Sequence, residues 1–213
     1  MQNNSPGKLS KFFGQTISFI FHPLFVPTYF ILYLIKVVPF EFVGITDWQL
    51  QLRVFSVFWL TAFFPAFAVF LLWRLKFSES IFLRTQKDRI IPYVIVMFFY
   101  WWMYYLSRNF SDQPIVLKYF YFGVFIASAI GLIVNNFIKV SLHGMGIGGM
   151  LASVVLVGLK YPINNIIWDI AILFIAGIVI SARMMVSDHT NKELTIGLGI
   201  GIITQTLAYF WVG

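Results

Sequence analysis

Three polar stretches interrupt an otherwise apolar chain. The first is Arg84-Thr-Gln-Lys87-Asp88-Arg89 with Pro92 close behind, the second Lys139-Val-Ser141-Leu-His143-Gly144, and the third runs from Ser181 through Arg183, Asp188 and His189 to Lys192 and Glu193. Ionisable groups at membrane depth are costly and mark function where they cluster. Pooled, these stretches supply several cations, two of the chain's 3 histidines and a carboxylate. That is the content of a phosphate-handling centre, with cations for the anionic oxygens and imidazole for proton transfer or attack on phosphorus. The third stretch is the most specific, because His189 follows Arg183 by six residues and Glu193 follows His189 by four. On a helix starting near His189, Glu193 falls one turn along on the same face. From there its carboxylate holds the imidazole tautomer and leaves the other ring nitrogen as a neutral nucleophile.

The elements that must position these groups follow from composition. Of 213 residues 60% are hydrophobic, 20% aromatic and only 11% charged, and the mean hydropathy is +0.84. A soluble globular domain carries about a quarter charged residues, so the solvent of this chain is lipid. Seven apolar spans are expected, at about 15–37, 52–74, 90–107, 116–138, 143–159, 165–183 and 194–212, each near the roughly 20 residues that cross a bilayer. The fold class is therefore all-α, a polytopic bundle of about six to seven transmembrane helices forming one domain over 1–213. Two spans separate the first polar stretch from the second and two more separate the second from the third. An even number of crossings returns the chain to the same face, so all three can meet in one site. The polar N-terminal segment with Lys8 and Lys11 precedes an apolar run too long and aromatic for a cleaved signal peptide.

Composition also excludes classes of function. With no cysteine there is no disulfide framework, thiolate metal site or cysteine nucleophile. The formal net charge of +7 suits a phosphate substrate and anionic membrane lipids. No nucleic-acid partner is expected, because no basic, solvent-facing module remains to carry one. Aromatic clusters such as Tyr100-Trp101-Trp102 read as interfacial anchors. His22, between Phe21 and Pro23 with Pro27 beyond, reads as an interfacial imidazole at a bend, with lining of a lipid entrance as the functional alternative. Asn135 and Asn136 are expected to bond between helices, and Gly197-x3-Gly201 to allow close helix approach. The glycines at 144, 146, 148 and 149 make the start of the fifth span the weakest expectation.

At these residues the chain resembles the type 2 phosphatidic acid phosphatase (lipid phosphate phosphatase) superfamily, as a divergent member, over 84–193. That family's pattern is K-x6-R-P, then P-S-G-H, then S-R-x5-H-x3-D. Arg183, His189 and Glu193 reproduce R-x5-H-x3-acid with Glu for Asp, and Ser181 stands one residue early. Ser141-Leu142-His143 reproduces S-x-H, with Val140 and Leu142 replacing proline and glycine. Arg84, Lys87, Arg89 and Pro92 have the residue types and order of the first motif but not its spacing. The resemblance implies that His189 is the nucleophile forming a phosphohistidine, that Glu193 orients it and that His143 is the acid for the leaving group. It implies further that Arg183, Arg89, Arg84 or Lys87, Ser141 and Lys139 hold the phosphate, with no metal and no cofactor.

The expected activity is hydrolysis of a lipid phosphate monoester or polyprenyl diphosphate by a multi-pass protein of a bacterial inner membrane. The alternatives are a non-catalytic lipid or anion binder of the same fold and a haem-binding electron carrier using two of the histidines. The face bearing the three stretches carries ten of the 15 Lys and Arg residues, which by charge alone makes it cytoplasmic. About half of those cations belong to the site itself, and the family acts on the outer face, so the outer face is expected.

Overall fold

The computed structural model describes residues 8–77, 85–161, 163, 166–186 and 190–212. Within them lie nine α-helices: α1 (Lys8–Ile20), α2 (Val26–Val37), α3 (Asp47–Phe58), α4 (Phe64–Arg74), α5 (Gln86–Asn109), α6 (Ile115–Asn135), α7 (Leu142–Lys160), α8 (Ile166–Val186) and α9 (Asn191–Val212). They form seven stretches long and apolar enough to cross a membrane, because α1 with α2, and α3 with α4, each make one interrupted span. The chain is an all-helical, multi-pass membrane protein. Phe67, Phe174, Leu173, Ile203 and Phe210 point outward around the bundle, as the lipid-facing side of membrane helices must.

Each interruption has a local cause. Pro23 pushes His22 into an extended backbone and starts a 3-10 turn over Pro23–Phe25, since the residue before proline avoids the helical region. His22 caps that turn, its Nδ1 accepting from the Leu24 N–H at 3.3 Å. Between α3 and α4, Trp59–Phe63 form a π turn just before Pro65, where proline's missing N–H removes one rung of the ordinary ladder.

Without a hydrophobic drive between helices in lipid, packing depends on small residues that let backbones approach. The tightest seam joins α7 and α9, which run parallel. A Cβ on Gly144 would stand 2.7 Å from the Leu194 carbonyl oxygen, and one on Gly201 2.6 Å from the Gly149 nitrogen. The glycine-rich start of the fifth span is thus helical from Leu142, and Gly197 and Gly201 make the close contact expected of them. Helix α6 runs through the middle, with Tyr119, Phe120 and Tyr121 fully buried. Phe120 stacks on Phe30 of α2 at 4.1 Å between ring centres. Helices α1 and α8 pack together on the flank of α7.

Candidate functional site

The N-termini of α5, α7 and α9 reach the same face. Helix N-termini carry unsatisfied N–H groups and a partial positive charge, and here each is closed by a short polar residue. Thr85 caps α5 in a box with Asp88. Ser141 caps α7, its Oγ accepting from the Gly144 N–H at 3.3 Å. Thr190 and Glu193 form the reciprocal pair on α9: Glu193 Oε2 accepts from the Thr190 N–H at 3.2 Å, and Thr190 Oγ1 accepts from the Glu193 N–H at 3.3 Å.

Long-range bonds tie these ends together. Arg89, only 7% exposed, donates from Nη1 to the Val140 carbonyl at 2.9 Å. The fully buried Ser141 donates its backbone N–H to the Glu193 carbonyl at 3.3 Å. Asn135 at the end of α6 donates from Nδ2 to the Gln86 carbonyl at 3.0 Å, fastening α6 to the start of α5. Arg89 lies within electrostatic reach of Glu193 and Asp88. One residue from each polar stretch is thereby joined to the others.

A second group sits beside the first, on the α1 side. His143, half-buried in the first turn of α7, places Nε2 2.9 Å from the Ser18 carbonyl oxygen of α1. A carbonyl only accepts, so Nε2 carries the hydrogen. The His22 ring meets His143 edge to face, with centres 5.4 Å apart, and the charge of Arg183 acts on His22. Arg183 is half-buried near the end of α8. Lys139 is half-buried in the connection before α7, and Lys87 is exposed on the first turn of α5. Arg84 and His189 lie outside the described residues.

Helix α9 starts at Asn191, two residues after His189, whose pairing with Glu193 lies outside the described residues. Glu193 occupies the first turn of α9 and has one carboxylate oxygen on the cap. The pattern Thr190-x-x-Glu193 is a capping-box signature readable in the sequence. His22, expected at a bend or lining a lipid entrance, is at that bend and lies against His143. No local signal brings residues 22 and 143 together; the Ser18 contact of α1 does.

From Arg89 and His22 a chamber of about 450 Å³ runs into the bundle. Its walls come from the 3-10 turn after α1 and from the π turn, α4, α5, α6, α7 and α9. Phe19, 72% exposed, also borders it, so it reaches the outer surface of the bundle on that side.

The site residues do not fit a haem held between His22 and His143. His22 Nδ1 is bonded to Leu24 and His143 Nε2 to Ser18. The two rings touch edge to face, where axial ligands must stand apart on either side of a porphyrin plane. Among the described residues there is no cluster of three or more metal-ligating side chains.

Comparison with family models, curated proteins and solved structures finds no match to this chain.

Proposed function

We propose that this chain is a membrane-embedded phosphatase that hydrolyses a lipid phosphate monoester or polyprenyl diphosphate through a phosphohistidine on His189, without a metal. The observation that carries the reading is the joining of the polar stretches at one membrane face, by Arg89 on Val140 and Ser141 on Glu193. Groups 50 and more residues apart in the chain share one end of the bundle, where helix N-termini favour an anion.

In this reading His189 attacks phosphorus and forms a P–N bond as the P–O bond to the lipid breaks. The leaving oxygen takes a proton from His143. As an imidazolium, His143 keeps Nε2–H on the Ser18 carbonyl and carries its transferable proton on Nδ1. Water, giving a proton back to His143 Nδ1, then attacks phosphorus and breaks the P–N bond, releasing inorganic phosphate and restoring both histidines. Arg89 and Arg183 hold the equatorial oxygens, a contribution of about 10²–10³ in rate for each well-placed donor. Glu193 contributes first by holding the turn that follows His189 and by its charge near Arg89. The head group enters at the membrane face while the tail stays in the apolar phase.

A second reading keeps the same site as an anion or lipid binder without turnover. The structural use of one Glu193 carboxylate oxygen in the α9 cap favours it. Phosphate release from a panel of lipid phosphates, by purified protein in detergent without added metal, separates the two. Release that vanishes in His189→Ala is the expected result. No release from well-folded wild type, with retained binding of a lipid phosphonate, selects the binder.

A further inference from the structure

The break at His22 rewires the end of α1. In an unbroken helix the His22 N–H would bond the Ser18 carbonyl, four residues back. Here it turns to the Phe19 carbonyl at 3.3 Å, and the Ser18 carbonyl accepts His143 Nε2–H at 2.9 Å instead. The bend is seated on one face of α7, where residues three apart are neighbours. His22 meets His143, and Pro23 meets Gly146, where an added Cβ would stand 3.1 Å from the Pro23 Cβ. Two elements far apart in the chain are thus fitted together with one imidazole against the other.

Capping alone does not account for an imidazole at position 22. The Leu24 N–H needs one short acceptor two residues back, and Asn, Asp, Ser and Thr make that contact routinely. A histidine brings a second hydrogen-bonding atom. With Nδ1 accepting from the Leu24 N–H at 3.3 Å, the hydrogen of the neutral ring stands on Nε2. Among the described residues Nε2 has no hydrogen-bond partner, and it is not one of the sealed polar atoms, so its hydrogen remains accessible. The half-buried ring borders the chamber that Arg89 also lines, and the charge of Arg183 acts on it. A neutral N–H donor within reach of such cations suits an anion with several oxygens, each of which accepts separately.

We propose that His22 is a further anion-binding residue of this site, donating Nε2–H to an oxygen of the phosphoryl head group held by Arg89 and Arg183. The inference rests on the anion site read above and needs no turnover.

The test measures binding of an alkylphosphonate, whose P–C bond is not hydrolysed, by calorimetry on the whole chain in nanodiscs. Two pairs of proteins each isolate the donor. In wild type against His22→Asn both side chains can accept from Leu24, but asparagine is too short to place an N–H where Nε2 stands. In His22→Gln against His22→Ala neither side chain presents an acceptor at the Nδ1 position, and only glutamine carries an N–H to about the reach of Nε2. Affinity is expected to fall about 10- to 100-fold from wild type to His22→Asn with melting unchanged, the loss of one hydrogen bond to a charged group. His22→Gln is expected to bind about tenfold tighter than His22→Ala. Equal affinity of wild type and His22→Asn overturns the inference and leaves His22 as a cap. Where His22→Asn unfolds or melts early, the Gln and Ala pair decides on the same terms. Absence of phosphonate binding by the wild type overturns the inference as well. Phosphate release by the wild type, with phosphonate affinity unchanged in His22→Asn, sinks this inference and leaves the phosphatase reading standing. Lost affinity in His22→Asn, without release from any lipid by the wild type, sinks the phosphatase reading alone.

Discussion

The two ends of the bundle treat a buried or half-buried arginine differently. At the far end Arg53 of α3 forms an ion pair with Asp112 and donates to Gln113 Oε1 at 3.1 Å. Its charge is met by a carboxylate of the connection between α5 and α6. At the site end Arg89 donates to a neutral backbone carbonyl, and the carboxylates within its reach, Asp88 and Glu193, are engaged in helix caps. Burial, with the Glu41 carboxylate beside it, pushes the Tyr161 hydroxyl above its ordinary range. One end ties its arginine to a carboxylate of a connecting loop, the other ties its arginine to the backbone that joins α6 to α7.

The strongest way to break that contrast is to remove each arginine. Arg89→Ala is expected to lower phosphate release by about 10²–10³, whereas Arg53→Ala leaves the rate of the folded protein unchanged. Equal losses in the two variants, measured on lipid phosphates at matched folded fraction, would show that Arg89 has no role in turnover that Arg53 lacks.

The seam that aligns the site helices comes next in size. Gly144→Ala places a methyl against the Leu194 backbone carbonyl, which cannot swing aside, and overpacking of this kind costs about 1–3 kcal/mol. Gly177→Ala meets nothing within 4 Å and should melt with the wild type. Thermal unfolding in detergent distinguishes them, and an unshifted Gly144→Ala would mean that the α7 and α9 backbones are not held together as described.

Glu193 offers a finer cut. A glutamine also completes a capping box, so Glu193→Gln should keep both stability and most of the rate, while Glu193→Ala should lose about 1 kcal/mol of stability. A large rate loss in Glu193→Gln with unchanged melting would restore a direct carboxylate role on His189. The smallest effect belongs to the far end. The Asp112 side chain is 54% exposed, so Asp112→Asn should cost less than about 1 kcal/mol, with that loss shrinking further in high salt.

The amino-acid sequence carried much of the fold. Hydropathy alone located the spans to within a few residues at most ends, because a helix of about 20 apolar residues is nearly the only solution the bilayer allows. It read the first span as continuous with a bend, and Pro23 and Pro27 marked where the bend would be. What it underestimated was local chemistry at α9. The Thr190-x-x-Glu193 box puts one oxygen of that carboxylate on the cap, and the helix starts at Asn191, two residues later than the start near His189 that spacing suggests.

By itself, then, the sequence determined that this is an all-helical, multi-pass membrane protein and that its polar stretches fall on one side, since hydropathy is local and the parity of crossings needs no geometry. Only the tertiary structure decided which groups meet: Arg89 on Val140, Ser141 on Glu193, His22 beside His143, and Gln205 on Phe120. Those contacts depend on how closely α7 approaches α9 and on where the chain breaks at Pro23. Closeness of that kind arises from glycines and prolines acting across the bundle, between residues that no period in the chain relates.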